Sequence, residues 1–405
     1  MRYPYPSKSL NMPYKLLPLS IAIALVSSPA IADNNVDVKL TPGPTFTTKD
    51  GRFKAKIIGF SQIEGAYHDD EKFDHPNGTS LRRARLGIKG KIDKKWGYKF
   101  IYEFGNNAKQ EIQDVFLTYK VSPSTKLKVG QYKEPIGLEW QTGAPNWTFM
   151  ELPLLTAITP RRSIGAGVKY QHQDFRVDLG FFGENNNKSR ADEEGKSVDL
   201  HTSYRFMNQG DSHFHLGASM SYRTPDAETN ALSFKSKHET ATTTKPTLNS
   251  GAIKDIDNAI LLGIDTLWKM DQFLIQAEYM TNNVEVNKKD DLKLKGYYVA
   301  TAWMLTGESR PFHFGKYTYQ KLKPNHAVGH GGNGALELAF RYDHLDLDDE
   351  HLLAGTMKKF TLGMNWYVNK SIKFSVNLSK ADSNEHAAIA NDETKTLALR
   401  AQFAL

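Results

Sequence analysis

The chain has 405 residues, 52 lysines and arginines against 45 aspartates and glutamates, and a net charge of +7; its mean hydropathy is -0.52. It contains no cysteine, so disulfides and thiolate chemistry play no part in fold or function. Beyond residue 32 no run approaches the ~20 apolar residues of a membrane-spanning helix, which excludes a helical membrane protein, yet 11% of the residues are aromatic, a large share for so polar a chain.

At the start, Arg2, Lys8 and Lys15 precede the apolar run LLPLSIAIALVSSPAIA, which ends in the small-x-small sequence Ala30-Ile31-Ala32. A charged start, an apolar centre and a small-residue cleavage site make residues 1–32 a signal peptide, with Asp33 the first mature residue and Met12 an alternative start. Cleavage removes three basic residues and no acidic one, lowering the net charge to +4, too small an excess to name a partner by itself.

From Arg52 onward the chain alternates with period two, the mark of a strand with unlike faces. In WGYKFIYEF, Trp96, Tyr98, Phe100, Tyr102 and Phe104 share one face and Lys99 and Glu103 the other; FRVDLGFF, FHLGASMSY, FLIQAEY, LELAFRY, FTLGMNW and IKFSVNL repeat the pattern. Sixteen such segments begin near residues 52, 81, 96, 111, 125, 163, 175, 198, 212, 258, 273, 294, 334, 358, 372 and 394. The connections alternate too, tight turns such as DKK, SPST and KMDQ interleaving with long polar loops. An even number of alternating strands with short turns at one end and long loops at the other is the pattern of an outer-membrane barrel. Residues 306–333 break the rule, being long where a short turn is due: either that link is elaborated or the count is off by a hairpin. An exported β-sandwich also alternates, but its strands are seldom so rich in terminal aromatics, which suit two membrane interfaces.

The second segment, LRRARLGIKG at 81–90, shows why the faces differ. Ala84, Leu86 and Ile88 form its oily side, and Arg83, Arg85, Lys89 and Lys91 its cationic side. A charge facing lipid at mid-bilayer costs on the order of 2–4 kcal/mol, so the cations belong in the water-filled lumen. Arg82 falls on the wrong parity, which predicts a strand end or a bulge there. In the final segment TLALRAQFAL, Leu397, Leu399, Ala401, Phe403 and Leu405 line one face, a pattern that resembles the C-terminal signal of outer-membrane barrels.

With these features the chain resembles the phosphate-selective porin O and P family. The carriers are RRARLGIKG, VGQYKEPIGLE at 129–139, FMELPLLTAITPRRSIGAGV at 149–168, AWMLTGESRPF at 302–312 and GNGALELAFRYDHLDLDD at 332–349, and the likeness runs from near residue 50 to the end. The resemblance implies an all-β fold, a sixteen-stranded antiparallel transmembrane β-barrel, as a homotrimer, with a third loop folded into the lumen and arginines along an anion path. By position that loop runs from about Glu134 to Pro160, flanked by Lys133 and by Arg161 and Arg162. Its Pro135, Trp140, Pro145, Trp147, Phe149 and Pro153 make it too apolar to extend into water.

A guanidinium fork matches phosphate oxygens with paired charge-assisted hydrogen bonds, and a row of such sites passes an anion along without trapping it. The candidate pore residues are Arg83, Arg85, Arg161, Arg162, Arg176 and Arg205, with Lys89, Lys99 and Lys133 as attracting charges. Arg161 and Arg162 have a second reading, as a strand-end pair on lipopolysaccharide phosphate or in solvent. Lysines far outnumber arginines, so the pattern favours anion preference over strict phosphate specificity. Glu103, Asp114, Asp178, Asp265, Glu278 and Glu337 share the lumen parity and are expected to pair with basic groups across neighbouring strands.

Other signals are weaker. His201 with Ser203 suggests a barrel hydrolase, but such a site must meet lipid and these residues share the inward parity of Arg205. His326 and His330 sit in a flexible glycine-rich link without a third ligand. DHLDLDDEH at 343–351 reads as an acidic solvated loop before a divalent-cation site. GNNAKQ and GENNNKS are turn chemistry. Basic residues spread singly over many strands exclude a nucleic-acid interface. The expectation is therefore a signal peptide (1–32), a periplasmic N-terminal segment (33–51) and a barrel (52–405) in the Gram-negative outer membrane, in contact with its lipid and lipopolysaccharide. It passes small anions, phosphate or polyphosphate first, and has no enzymatic activity, cofactor or metal. The alternatives are a general or carbohydrate-tolerant pore, or a surface adhesin or receptor acting through its long loops, chiefly 225–257.

Overall fold

The computed structural model describes residues 36–405 apart from 41, 106–110, 185–193, 241 and 244. The leader and the turns GNNAKQ and GENNNKS fall wholly or largely outside the described residues. Sixteen strands follow a short N-terminal hairpin of Val36–Lys39 with Thr45–Thr48. They are β1 (Phe53–Asp70), β2 (Gly78–Ile92), β3 (Trp96–Glu103), β4 (Glu111–Lys120), β5 (Thr125–Lys133), β6 (Arg162–His172), β7 (Phe175–Phe182) and β8 (Lys196–Gln209). The second half comprises β9 (Ser212–Thr224), β10 (Ile256–Met270), β11 (Phe273–Val286), β12 (Leu292–Met304), β13 (Ala335–Asp346), β14 (Thr356–Tyr367), β15 (Ile372–Ser383) and β16 (Glu393–Ala404). Each pairs antiparallel with the next, and β16 returns to β1 from Thr394 opposite Asp70 to Ala404 opposite Phe60. The sheet therefore closes and leaves no edge. Every strand begins within three residues of the start its alternation predicts.

The strands are inside out by the standards of a soluble protein. On β14 Lys359, Thr361 and Asn365 are buried while Phe360, Leu362, Met364 and Trp366 are exposed; on β16 Thr396, Arg400 and Gln402 are buried while Leu397, Leu399 and Phe403 are exposed. A polar interior within an apolar belt suits a barrel whose outer surface is solvated by hydrocarbon. None of the described helices is long and apolar enough to cross a membrane.

Arg82 occupies a bulge. Gln62 lies opposite Arg83 and Ile63 opposite Leu81, so β2 carries one extra residue between them. The bulge re-aims the side chain: Arg82 turns inward to Glu151 of the third loop, as its parity conflict requires.

Two long connections fill part of the interior. Residues 134–161, between β5 and β6, cross the lumen and bury Ile136, Leu138, Phe149, Leu154, Leu155 and Ile158 against Met280, Val284, Leu294 and Tyr298 of β11 and β12. The far wall satisfies their backbone. Glu278 accepts from the Leu138 and Glu139 amides at 2.9 and 2.8 Å, and Asn365 and Lys373 donate to the carbonyls of Thr148 and Trp147 at 2.7 and 3.0 Å. The 305–334 link is the elaborated alternative: it enters from the short-turn end and buries Phe314, Tyr317 and Tyr319 among lumen side chains. At the opposite end the 225–255 loop also bends inward, burying Phe234, His238, Glu239 and Leu248. These insertions pack mainly on the β10–β14 side, and the water-filled space is left along β1–β5.

Candidate functional site

That space is a cavity of about 1500 Å³, lined chiefly by β1–β5, the third loop, residues 235–240 and residues 316–321. Eighteen lysines and arginines face it against five carboxylates. Because β1, β2 and β5 alternate apolar-out and cation-in, each contributes basic groups two positions apart: Lys54 and Lys56 on β1, Lys89 and Lys91 on β2, Lys126 and Lys128 on β5.

Of the nine candidate pore residues, Arg83, Arg85, Lys89, Lys99, Lys133, Arg161 and Arg162 line this cavity together. Arg176 and Arg205 do not line it. Arg176 lies against Tyr317 with its guanidinium 4.5 Å from the ring centre and binds Asp178; Arg205 binds Asp174 at 2.6 Å beside Phe314. The inserted 305–334 link covers both.

Within the cavity the cations divide by partner. Arg85 binds Glu103 at 2.6 Å, while Asp114 receives both Lys99 at 2.7 Å and Arg162 at 2.9 Å. Lys133 donates to the carbonyls of Trp140 and Thr142 at the neck of the third loop, so its charge caps the loop's backbone. Arg83 donates to Gln62 at 2.9 Å, lies over Trp147 at 4.7 Å and reaches Glu151 at 3.5 Å. Lys54, Lys56, Lys89, Lys126, Lys128 and Arg161 make no ion pair with a carboxylate among the described residues. Lys89 stands directly opposite both Lys56 and Lys99, and Lys54 opposite Lys91. Like charges placed opposite one another destabilise a sheet; a lumen that retains them is one in which water and mobile anions supply the counter-charge.

The inward carboxylates are mostly paired as their parity predicts: Glu103, Asp114 and Asp178 each hold a cation, and Glu337 holds Arg310 at 2.7 Å. Two differ. Asp265 meets His201 at 3.1 Å and the Tyr317 hydroxyl, and Glu278 meets third-loop amides and the Tyr298 hydroxyl at 2.7 Å. In both cases an inserted loop reaches the carboxylate before a strand cation can. His201 thus faces Asp265 and Arg176, and the Ser203 hydroxyl has no hydrogen-bond partner, so no Ser–His pair forms.

Glu151, Arg82 and Arg400 escape a reading of the sequence alone. Glu151 accepts two hydrogen bonds from Arg82, both at 2.8 Å, and one from Arg400 at 2.7 Å, binding the third loop to β2 and β16 at once. A lone glutamate in a loop gives no signal of this. Lys54, Lys56, Lys126 and Lys128 do leave one, since RFKAKI and TKLKVG place them on the inward parity.

The phosphate-selective porin O and P family model matches residues 58–405. Porin O of Pseudomonas aeruginosa is 24% identical over 426 aligned positions that cover 93% of this chain and 94% of the relative, and an uncharacterized protein of Caulobacter vibrioides is 26% identical over 93% of this chain and 78% of its own length. Among solved structures, OmpT of Vibrio cholerae superposes with a TM-score of 0.58 at 12% identity (89% of this chain, 100% of that one). An anion-selective porin from Comamonas acidovorans superposes at 0.55 and 11% identity (87% and 100%). Those two likenesses concern the fold. Together with the closed barrel and its polar bore, these findings make the protein a bacterial outer-membrane channel and place this chain in the phosphate-selective porin O and P family.

Proposed function

We propose that the chain forms a passive channel for small anions, with phosphate and polyphosphate the leading solutes, and that the lysine array on β1, β2 and β5 with Arg161 beside the third loop is its conducting path. The observation that carries this reading is that those cations have no carboxylate partner among the described residues: Lys56 and Lys89 line the cavity, and Lys128 lies over the Tyr132 and Phe116 rings, whereas most lumen carboxylates are bound to arginine, lysine or the third loop. Sites made of single lysines hold an anion loosely enough to release it, and successive sites let one ion displace the next. The narrowing by the third loop keeps the ion close to the wall, where a charge acts more strongly than in open water.

In this reading residues 1–32 are cleaved on export, residues 33–51 lie on the periplasmic side with the short turns, and the exposed Leu, Phe and Trp belt meets lipid, with lipopolysaccharide at the long-loop end of a homotrimer. The adhesin reading is less favoured, because the 225–255 loop buries Phe234, His238, Glu239 and Leu248.

The test is a planar-bilayer recording across a potassium chloride gradient and then a potassium phosphate gradient. The expected reversal potential has the sign of anion flow in both. A potential near zero, or one of the cation sign, overturns the proposal.

A further inference from the structure

At the long-loop end of the barrel, four segments distant in sequence bring three histidines and two aspartates together. β1 supplies His68 and Asp70, the connection after it His75, the inturned 225–255 loop His238, and the connection before β16 Asp392. The imidazole rings of His75 and His238 lie 4.5 Å apart, and that of His68 lies 5.6 and 5.5 Å from them. One ligand atom from each of His68, Asp70 and His238 falls within 4.8 Å of the others, and so does one from each of Asp70, His75 and Asp392. Asp70 is common to both groups.

The polar atoms here are incompletely satisfied. His75 and His238 are 0% and 1% exposed, yet both ring nitrogens of His75, Nε2 of His238 and Oδ1 of Asp70 have no hydrogen-bond partner among the described residues. Leaving a buried donor or acceptor unpaired costs about 1–3 kcal/mol each; a neutral imidazole keeps a proton on one nitrogen, so one lone pair from each of His75 and His238, with Oδ1 of Asp70, is left for an ion. The remaining contacts orient the ligands. Both ring nitrogens of His68 meet hydroxyls, Nδ1 that of Thr396 at 3.0 Å and Nε2 that of Thr242 at 2.9 Å, and one of these contacts gives way to the ion when His68 ligates; Nδ1 of His238 meets Thr247 at 3.2 Å, and Asp392 accepts from the Lys72 amide at 2.8 Å. Lys359 faces His238, but its ammonium is taken up by Glu239 at 3.2 Å and by the His238 carbonyl at 2.8 Å.

We propose that this cluster is a binding site for a divalent transition-metal ion of the zinc class, with Asp70 as the shared carboxylate ligand, His68 and His238 as nitrogen ligands, and His75 and Asp392 completing the shell. Imidazole with carboxylate is a donor set that suits zinc and excludes calcium and magnesium, which take oxygen ligands. The ion ties the inturned loop to the barrel rim: His238 precedes Glu239, whose carboxylate also receives Lys359 and Asn377 from the wall. The loop section fixed in this way, residues 235–240, lines the mouth of the basic cavity. The sequence suggests no such site, because its ligands are separated by up to 324 residues, from His68 to Asp392.

The experiment is a titration of zinc chloride into the chelator-stripped, detergent-solubilised full-length protein, followed by calorimetry. One zinc per chain is expected, with affinity reduced about tenfold or more in His75→Gln and in His238→Gln. His351→Gln is the control, because His351 lies with Asp290 and Asp349 in a separate histidine–aspartate cluster at the surface and should leave the binding unchanged. X-ray absorption on the zinc-loaded wild-type protein, which needs no variant to fold, should show imidazole scattering from at least two ligands. Absence of saturable uptake, a stoichiometry that survives both substitutions, or an all-oxygen shell overturns the proposal.

Discussion

The Arg310 guanidinium donates from one nitrogen to both oxygens of Glu337, at 2.7 and 2.9 Å, and from another to the carbonyl of Asn146 at 2.6 Å. One buried ion pair thus joins the inserted 305–334 link, strand β13 and the third loop, with the Tyr367 hydroxyl bonded to both partners at 3.0 and 2.8 Å. Two of the stretches that carry the family resemblance, AWMLTGESRPF and GNGALELAFRYDHLDLDD, meet at this pair. Removing one partner strands a charge inside the protein, a loss of about 3–5 kcal/mol, whereas replacing both with apolar groups of similar volume is often neutral. Arg310→Met or Glu337→Met alone should therefore lower the temperature at which the barrel unfolds in detergent, and the double variant should recover most of the loss. Equal losses in all three would show that the pair is not the coupling element.

Glu151 neutralises cations that would otherwise serve the cavity. It binds Arg82 and Arg400 closely and Arg83 at 3.5 Å. Glu151→Gln keeps the shape of the side chain and removes the carboxylate charge beside Arg82 and Arg83 at the cavity wall. The expected outcome is a reversal potential shifted further toward anion flow, together with a less stable barrel. A shift toward cation flow would contradict the placement of those arginines on the conducting side.

The lysine array and the arginine pair can be ranked. Arg162 is bound to Asp114 at 2.9 Å, whereas Arg161 has no carboxylate among the described residues. Arg161→Ala alone should then weaken anion preference almost as much as Arg161→Ala with Arg162→Ala. Lys56→Glu with Lys89→Glu replaces two facing cations by two anions on the cavity wall and should have a larger effect than either, bringing the reversal potential toward zero or past it. An unchanged potential in the lysine variant would remove β1 and β2 from the path.

What the sequence discloses depends on the range over which a signal acts. Period-two alternation is local, and the contrast between Phe360, Leu362 and Met364 outside and Lys359, Thr361 and Asn365 inside suffices to locate a strand and its faces. The same rule identifies Arg83, Arg85, Lys89 and Lys99 as lumen residues, and the parity conflict at Arg82 announces its bulge. Partner choice is not local. Glu278 and Asp265 carry the inward parity of salt-bridge acids, but amides and hydroxyls from inserted loops 139–140 and 52 residues away reach them first, at Leu138, Glu139 and Tyr317. Arg176 and Arg205 face inward too, and only the three-dimensional course of the 305–334 link takes them out of the cavity.

That link also supplies the last expected outcome. It enters the bore from the short-turn end, and Tyr317 and Tyr319 anchor it by donating to Asp265 and to Gln276, the latter at 2.6 Å. Tyr319 also presses against Arg310, 4.7 Å from ring centre to guanidinium, while the Tyr319 carbonyl accepts from Asn146 of the third loop at 3.1 Å. The link and the third loop therefore narrow the lumen as one unit, and the link shields Arg176 and Arg205 from water. Replacing residues 312–320 by a short Gly-Ser turn should raise single-channel conductance and expose both arginines, so that anion preference is kept or increased as the pore widens. Tyr317→Phe with Tyr319→Phe, which removes only the two hydroxyl anchors, should give a smaller rise and more frequent current fluctuations as the link moves. If conductance stays at the wild-type value when the turn replaces the link, ions pass entirely along the β1–β5 wall and the link is a packing element alone.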